Sequence, residues 1–302
     1  MRYLTFIAPG EQRTRLGALI SDDRVISLAR GDLPADMLSF IKAGAQTWAL
    51  AKQISRQTQS VWPLSEVTLK APLQRPPTLR DFYAFETHVK TANKNRGREV
   101  PEEWYQFPVF YFTNPNTIHG PGESVTMPAY TKAMDYELEV AAIIGKPGQD
   151  IKAENALDHV FGFTILNDWS ARDVQRMEMK VGLGPAKGKD FACSLGPWIV
   201  TPGELTTQAT DRVGVYDSVM TAKVNGVERS RGNWKDIYYS FGEIIARASE
   251  GVMLYPGDVI GSGTVGTGCL LEITKGEGPW LSKGDTVELE INGIGILRNT
   301  II

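Results

Sequence analysis

Cysteine is scarce in this chain of 302 residues, which contains two, Cys193 and Cys269. Neither lies in a Cys-x-x-Cys pair or in another spacing typical of metal ligands. The sequence therefore argues against a zinc site and against a disulfide framework. We expect both to be small core residues in a reducing compartment.

Basic clusters and long apolar runs are missing as well. The formal net charge is −3, and the short KNRGR cluster at 94–98 is too small to follow a phosphate backbone. We expect neither nucleic acid nor an anionic membrane surface as a partner. No apolar run approaches the ~18 residues of a membrane span, and the N-terminal apolar stretch is too short for a signal peptide. These absences predict a cytoplasmic protein.

Residues 1–70 differ in pattern from the rest of the chain. They combine short strands with a helical stretch at 36–56, which Gly44 interrupts. Pro76 and Pro77 follow, and neither a helix nor a central strand accommodates them. We therefore predict a small N-terminal α/β domain at 1–70.

Residues 71–302 are rich in short strands with few helices, a pattern typical of a β-rich α+β domain. Asn225-Gly226 predicts a tight hairpin. Helices are predicted at 169–179, with Ser170 as N-cap, and at 234–251. The apolar segment at 270–274 is assigned to a strand.

Three carboxylates share one parity in the sequence MDYELEV at 134–140. On a strand, Asp135, Glu137 and Glu139 would face the same side, where like charges repel one another. Such crowding brings little benefit unless a cation binds there, and Asp168 at the end of FTILND could supply another oxygen. Oxygen ligands suit Mg²⁺, Ca²⁺ or Mn²⁺ rather than Zn²⁺. An exposed acidic edge strand is the alternative interpretation.

Further motifs surround this run in a fixed order. They are DFYAFETH at 81–88, NDWSARDVQ at 167–175, GLGPAKGKDF at 182–191, LYPGDVI at 254–260, SGTVGTGCLLEI at 262–273 and KGDTVELEINGIG at 283–295. Together they resemble the fumarylacetoacetate hydrolase superfamily over about residues 80–299. The DFY motif with its downstream His, and the RG that follows, are similar to fumarylacetoacetase-like members.

The resemblance implies a fold and a set of roles. The fold would be a β-rich catalytic domain, a mixed β-sandwich roll, at 71–302. The implied metal ligands are Asp81, Glu137, Glu139 and Asp168. The implied catalytic groups are His88 as general base, Glu272 as the carboxylate that orients it, and Arg172, Gln175 and Lys189 around the reacting oxygen. The implied substrate contacts are Tyr83, Arg96 and Thr264.

The resemblance also implies an activity. It is the metal-dependent hydrolysis of a carbon–carbon bond in a β-diketo acid, fumarylacetoacetate or a related acylpyruvate, in aromatic catabolism. The cation would be Mg²⁺ or Ca²⁺, with Mn²⁺ also suited, and the protein would be a homodimer. The residue types fit, because His can take a proton from water and cationic or amide donors can stabilise an oxyanion.

Two alternatives stay open at this point. Members of the superfamily also hydrate, isomerise or decarboxylate 2-oxo acids. A metal-stabilised binding protein without turnover is the alternative of another class.

Fumarylacetoacetases tend to have aromatic residues just after the Gln, where this chain has Met177 and Met179. The acyl group of the substrate is therefore not fixed.

Overall fold

A computed structural model of the chain describes residues 1–29, 33–56, 61–95 and 97–302. The helices are α1 (Met37–Lys42), α2 (Gly44–Ser55), α3 (Glu86–Asn95), α4 (Arg172–Val181), α5 (Phe241–Ser249) and α6 (Leu270–Ile273). The strands are β1 (Arg2–Ile7), β2 (Thr14–Ser21), β3 (Arg24–Ser27), β4 (Val61–Pro63), β5 (Thr68–Lys70), β6 (Leu79–Phe82), β7 (Phe110–Thr113), β8 (Ile118–His119), β9 (Ser124–Val125), β10 (Met134–Asp135), β11 (Leu138–Ile144), β12 (Val160–Asp168), β13 (Ser170–Ala171), β14 (Cys193–Val200), β15 (Val219–Val224), β16 (Val227–Asn233), β17 (Val259–Gly261), β18 (Thr286–Ile291) and β19 (Gly295–Ile301).

A long mixed sheet forms the scaffold, in the order β4-β3-β2-β1-β14-β12-β11-β17-β6-β7. Most neighbours are antiparallel, but β17 pairs parallel to β6. Every residue of β11 and β12 is buried, which explains why both read as nearly continuous apolar runs. Polar residues on these strands are therefore held away from water.

A second sheet, in the order β16-β15-β18-β19-β9, packs against the first. The shared core contains Val140 and Phe163 from the long sheet together with Met220, Leu289 and Leu297 from the second. Burying these side chains contributes roughly 1.5–3 kcal/mol each relative to exposure. The predicted β-rich α+β fold is confirmed.

The N-terminal strands extend the long sheet, because β1 pairs with β14 through Arg2 and Val200. The predicted division into domains at residue 70 stays a prediction. The predicted helix at 36–56 is confirmed as two helices that meet at Gly44, whose φ of +80° favours glycine. The hairpin at Asn225-Gly226 is also confirmed, with φ of +51° and +78°.

One helix replaces a predicted strand, and two helices begin later than predicted. Residues 270–273 form a helix rather than a strand, because the amides of its first turn donate to the carboxylate of Asp135. Helix α5 begins only after Ser240, which forms a capping box with Glu243. Helix α4 begins at Arg172, with Ala171 rather than the predicted Ser170 as N-cap, since Ser170 pairs with Asp135 in a short ladder. In addition, α3 was not predicted at all.

The helices of the described ranges are all too short or too polar to cross a membrane.

Candidate metal and catalytic site

Three strands of the long sheet, β12, β11 and β6, bring three carboxylates together at one end of the sheet, with β17 between β11 and β6. Asp81 lies on β6, Glu137 lies just before β11, and Asp168 ends β12. One oxygen of each lies within 4.8 Å of the others, and all three side chains are buried. The predicted clustering of these acidic residues is therefore present in the structure.

Glu139 adjoins this cluster through Asp81. The amide of Gly263 donates to both carboxylates, at 3.2 Å to Oδ1 of Asp81 and 3.2 Å to Oε2 of Glu139. Gly261 makes the close approach feasible, because a Cβ there would lie 2.5 Å from Oδ1 of Asp81. Thr264, a predicted substrate contact, places its hydroxyl 3.5 Å from Oε1 of Glu139.

The pKa values of the four carboxylates are not all shifted in the same direction: three are raised and one is lowered. Burial, followed by the nearby charge of Asp168, raises the pKa of Asp81 to about 8. Burial and the charge of Asp81 likewise raise the pKa of Glu139 well above its usual range. Burial raises the pKa of Asp168 as well, although Lys189 opposes it. For Glu137 burial also acts upward, but the nearby cations outweigh it and lower the pKa. Negative charge is thus only partly compensated here, as expected of a cation site.

Two buried cations contact the cluster. Nζ of Lys189 lies 2.5 Å from Oε2 of Glu137 and 2.6 Å from Oδ2 of Asp168. The guanidinium of Arg172 lies 2.8 Å from Oε1 of Glu137, and its Nη1 donates to Oε1 of Gln175 at 3.1 Å. Arg172, Gln175 and Lys189, predicted to surround a reacting oxygen, therefore converge beside the carboxylates.

Asp135 has a different role from the one its parity suggests. Its carboxylate accepts from Nε of Arg172 at 2.8 Å and from the amides of Leu270 and Leu271 at 2.8 and 3.0 Å. The expectation that it joins Glu137 and Glu139 on one strand face is wrong. The chain leaves the ladder between β10 and β11, where the amide of Glu137 bonds to the side chain of Asn167 instead.

His88 and Glu272 lie side by side on α3 and α6. Nδ1 of His88 is 2.8 Å from Oε2 of Glu272, and both side chains are buried. The contact is close, but the ring N–H does not point along a hydrogen bond. Tyr83, another predicted substrate contact, packs its ring edge-on against the imidazole at 5.2 Å between centroids. Sγ of Cys269 lies 3.7 Å from Oε2 of Glu272.

Tyr111 is a site residue that the sequence analysis missed. Its hydroxyl donates to Oδ2 of Asp168, and its strand position lies directly opposite Asp81. The segment PVFYFT is recognisable as a strand, but its pairing with β6 cannot be read from one sequence. Arg96, the remaining predicted substrate contact, lies outside the described residues.

A cavity of about 490 Å³ opens onto the cluster, a size typical of small-molecule sites. The predicted site residues in its wall are Asp81, Tyr83, His88, Glu137, Glu139, Arg172, Gln175, Lys189 and Thr264. Asp168 and Glu272 lie behind this wall, in contact with Lys189 and His88. Met179 lines the cavity, whereas Met177 is 63% exposed.

The fold and the site together define a strand-rich α+β enzyme with a buried acidic cluster at the base of a small-molecule cavity. The chain belongs to the fumarylacetoacetate hydrolase family, since the family model described as fumarylacetoacetate (FAA) hydrolase C-terminal matches residues 78–302. The resemblance seen in the sequence motifs is thereby confirmed.

Curated relatives match nearly the whole chain. It is 31% identical to oxaloacetate tautomerase YisK of Bacillus subtilis, with 97% of this chain and 99% of that protein covered. It is 32% identical to the human mitochondrial oxaloacetate tautomerase FAHD2A, with 100% and 92% covered. Among solved structures, the fumarylacetoacetate hydrolase of Exiguobacterium antarcticum superposes with a TM-score of 0.77 at 27% identity, covering 100% of this chain and 99% of that one.

Proposed function

We propose that this protein is a divalent-cation-dependent enzyme that interconverts the keto and enol forms of a 2-oxo acid. The observation that carries the proposal is that His88 lines the same cavity as Asp81 and Glu137 of the buried carboxylate cluster. Relatives that span the whole chain are oxaloacetate tautomerases, so oxaloacetate is the first substrate to test.

The residues of the cluster fit a hard divalent cation. The donors are carboxylate oxygens, which Mg²⁺, Ca²⁺ and Mn²⁺ prefer. Burial, followed by the nearby charge of Asp168, raises the pKa of Asp81, so a bound cation would stabilise its ionised form. Asp81, Glu137 and Asp168 would hold the ion, with Glu139 beside Asp81. When bound, such an ion would polarise the 2-oxo group and stabilise the negative charge that develops on enolisation.

The chain's own residues supply the proton transfer. Neutral His88 would take a proton from C3 of the substrate while the electron pair of that C–H bond forms the C2–C3 double bond. The proton is then delivered to the oxygen on C2, and the reverse sequence regenerates the keto acid. Because Nδ1 contacts Glu272, the ring proton of neutral His88 is assigned to Nδ1, which leaves Nε2 to take the proton from the substrate. Lys189 and Arg172 would position the anionic substrate beside the cluster.

Hydrolysis of a 1,3-diketo acid is the second candidate, and the contact between His88 and Glu272 favours it. A carboxylate beside the imidazole is the arrangement that activates a water molecule in base–orienter pairs. The same cluster would bind the two oxygens of the diketo acid. Hydrolysis consumes water and cleaves the substrate, whereas tautomerisation does neither. The two candidate reactions therefore give different products.

Parallel assays test the proposal. Loss of the enol absorbance of oxaloacetate is followed with enzyme that carries Mg²⁺ or Mn²⁺, with chelator-treated enzyme, and after restoring the cation. We expect acceleration only when the cation is present. A diketo acid such as an acylpyruvate is incubated in the same way, and its cleavage products are separated. Acceleration of neither reaction, or full activity after chelation, would contradict the proposal.

A further inference from the structure

A second group of side chains with metal-ligand atoms lies beside the catalytic cavity and shares no residue with the carboxylate cluster. We call it the mixed-ligand cluster. It consists of His88, Cys269 and Glu272, each of which places one ligand atom within 4.8 Å of the other two. All three side chains are buried. The spacing of the cysteines along the sequence does not reveal this group, because His88 comes from α3 and the other two from α6 and its N-cap.

The distances in the mixed-ligand cluster are close to those of a tetrahedral zinc site. Nδ1 of His88 lies 2.8 Å from Oε2 of Glu272, and Sγ of Cys269 lies 3.7 Å from the same oxygen. Zinc bonds of about 2.0–2.3 Å at tetrahedral angles would separate such ligand atoms by roughly 3.3–3.6 Å. Small rotations of the side chains would therefore bring all three atoms to bonding distance from one ion.

Two polar atoms of the cluster lack a hydrogen-bond partner among the residues that the structure describes. They are Nδ1 of His88 and Oε1 of Glu272, and each of these residues is only 5% exposed. Buried polar atoms are nearly always paired, and leaving one unpaired is unfavourable. A cation bound between the two side chains would coordinate the ring nitrogen and compensate the charge of the carboxylate.

The thiol determines which cations the mixed-ligand cluster favours. Burial, followed by the nearby charge of Asp135, raises the pKa of Cys269 well above its usual range, so the thiol is protonated in the cation-free protein. A thiol that binds a metal ion releases its proton to solvent as the metal–sulfur bond forms. Thiolate and imidazole ligands suit Zn²⁺, whereas Mg²⁺ and Mn²⁺ prefer oxygen. The two clusters should therefore select different ions.

The catalytic cavity gives such an ion a route of entry. His88 lines the cavity of about 490 Å³, and so does Leu271, which lies between Cys269 and Glu272 in the chain. Three protein ligands leave one position of a tetrahedral zinc ion open, and a water molecule from the cavity would fill it.

We infer that His88, Cys269 and Glu272 form an inhibitory site for a thiophilic divalent cation, with Zn²⁺ as the ion to test. Coordination through Nδ1 would leave the ring proton of neutral His88 on Nε2, so this nitrogen could no longer take a proton from the substrate. Zn²⁺ would therefore stop turnover without displacing the cation at the three carboxylates. The inhibition rests on the proposed function, whereas the binding of Zn²⁺ does not.

Cobalt tests the binding without requiring turnover, because Co²⁺ replaces Zn²⁺ and gives a charge-transfer absorption band when a thiolate binds it. Equimolar Co²⁺ is added to the Mg²⁺-loaded protein, and calorimetry of Mg²⁺ binding confirms that each variant is folded. We expect the band in the unsubstituted protein and in Cys193→Ser, and its loss in Cys269→Ser and Cys269→Ala.

Cys193 is the matched control, since it is equally buried but lies beside the carboxylate cluster, with Sγ 3.5 Å from Oδ1 of Asp168. Absence of the band from the unsubstituted protein would overturn the site. A band that persists in both Cys269 variants would overturn it as well.

Zn²⁺ is then titrated against turnover of the same proteins in excess Mg²⁺. Cys269→Ser should raise the half-inhibiting concentration at least about tenfold, a loss that removal of even an outer partner of a metal ligand can cause. Cys193→Ser should leave it unchanged. Full activity of the unsubstituted protein at Zn²⁺ concentrations that displace the cobalt band would overturn the inhibition. Absence of turnover before Zn²⁺ is added would instead contradict the proposed function, and the cobalt band would still decide whether the site exists.

Discussion

The ammonium of Lys189 lies between two carboxylates in a part of the protein from which water is excluded. It contacts Glu137 and Asp168, and removal of one member of a buried ionic group leaves the other charges without compensation. Such changes typically cost about 3–5 kcal/mol of folding free energy. Lys189 therefore has a structural role in addition to its proposed catalytic one.

We predict that Lys189→Met destabilises the chelator-treated protein by about 3 kcal/mol, measured by urea unfolding. Lys187→Met is the matched control, because Lys187 is exposed and its ion pair with Asp190 lies at the surface. The control should unfold like the unsubstituted protein. Equal stability of the Lys189 variant would show that the buried contacts contribute nothing.

The role of His88 is tested separately from metal binding. His88→Ala should lower turnover by roughly two to four orders of magnitude, the usual effect of losing a general base. Cation affinity should stay the same, since His88 is not a proposed ligand, and Glu272→Gln should give a smaller loss. His159→Ala is the control, because His159 bonds to the carbonyl of Lys146 away from the cavity. A near-native rate for His88→Ala would rule out this base.

The affinity for the cation should change with pH, and the raised pKa of Asp81 determines whether it rises or falls. That pKa is about 8 in the folded protein and 3.8 for an unperturbed carboxyl group. Between these two pH values, the folded protein therefore binds one proton more than the unfolded chain does. The stability of the cation-free protein should therefore fall as pH rises through this window. A cation must displace the proton, so its affinity should rise from pH 5 to pH 8. Calorimetry at both pH values measures this, and a flat profile would contradict it.

At the scale of single residues, much of the site was predictable from the sequence. Glu137, Glu139 and Asp168 follow from strand parity and from the order of motifs. Asp135 does not, because it ends strand β10, and the chain leaves the ladder before β11 begins at Leu138. Tyr111 was missed since only the tertiary pairing of β6 with β7 places it beside Asp81.

At the scale of elements, the two short helices at the site were the hardest to predict. The sequence of helix α3 contains few apolar residues, so hydrophobic periodicity does not predict a helix there. Helix α6 spans only Leu270–Ile273 and reads as an apolar strand. The amides of its first turn donate to the buried carboxylate of Asp135, a long-range contact that overrides local preference. These two helices carry His88 and Glu272.

Strand β17 gives an element-scale prediction. It separates β11 from β6, and its Gly261 leaves space for the carboxylate of Asp81. Gly261→Ala should displace Asp81 and weaken cation binding at least tenfold, measured by calorimetry, because core positions tolerate little added volume. Gly203→Ala is the control, since a Cβ there would meet no atom within 4 Å. Unchanged affinity in the Gly261 variant would show that the close approach is unimportant.

At the scale of the whole molecule, the strand-rich architecture follows from composition and pattern. The order of strands in the long sheet does not, because partners such as β1 and β14 are almost two hundred residues apart. The resemblance to a known family implied the fold class but no strand order, and alternation along a strand identifies its faces and not its neighbours.

Association is also a property of the whole molecule, and we predict a homodimer. Strand β7 forms one edge of the long sheet, and its Phe112 is 60% exposed. An exposed edge with a large apolar side chain is a natural surface for a second copy. Light scattering at micromolar concentration should give twice the mass of one chain. The mass of a single chain would contradict the prediction.

We expect Asp81, Glu137 and Asp168 together to bind one divalent cation. Anomalous diffraction from crystals grown with Mn²⁺ would locate this ion. It should give one strong peak among these three carboxylates, at roughly 2.0–2.6 Å from an oxygen of each, the range of hard-cation ligands. The atoms of His88, Cys269 and Glu272 form the other cluster of metal-ligand type in the described residues. A peak there, or no peak at the three carboxylates, would rule out the proposed cation site.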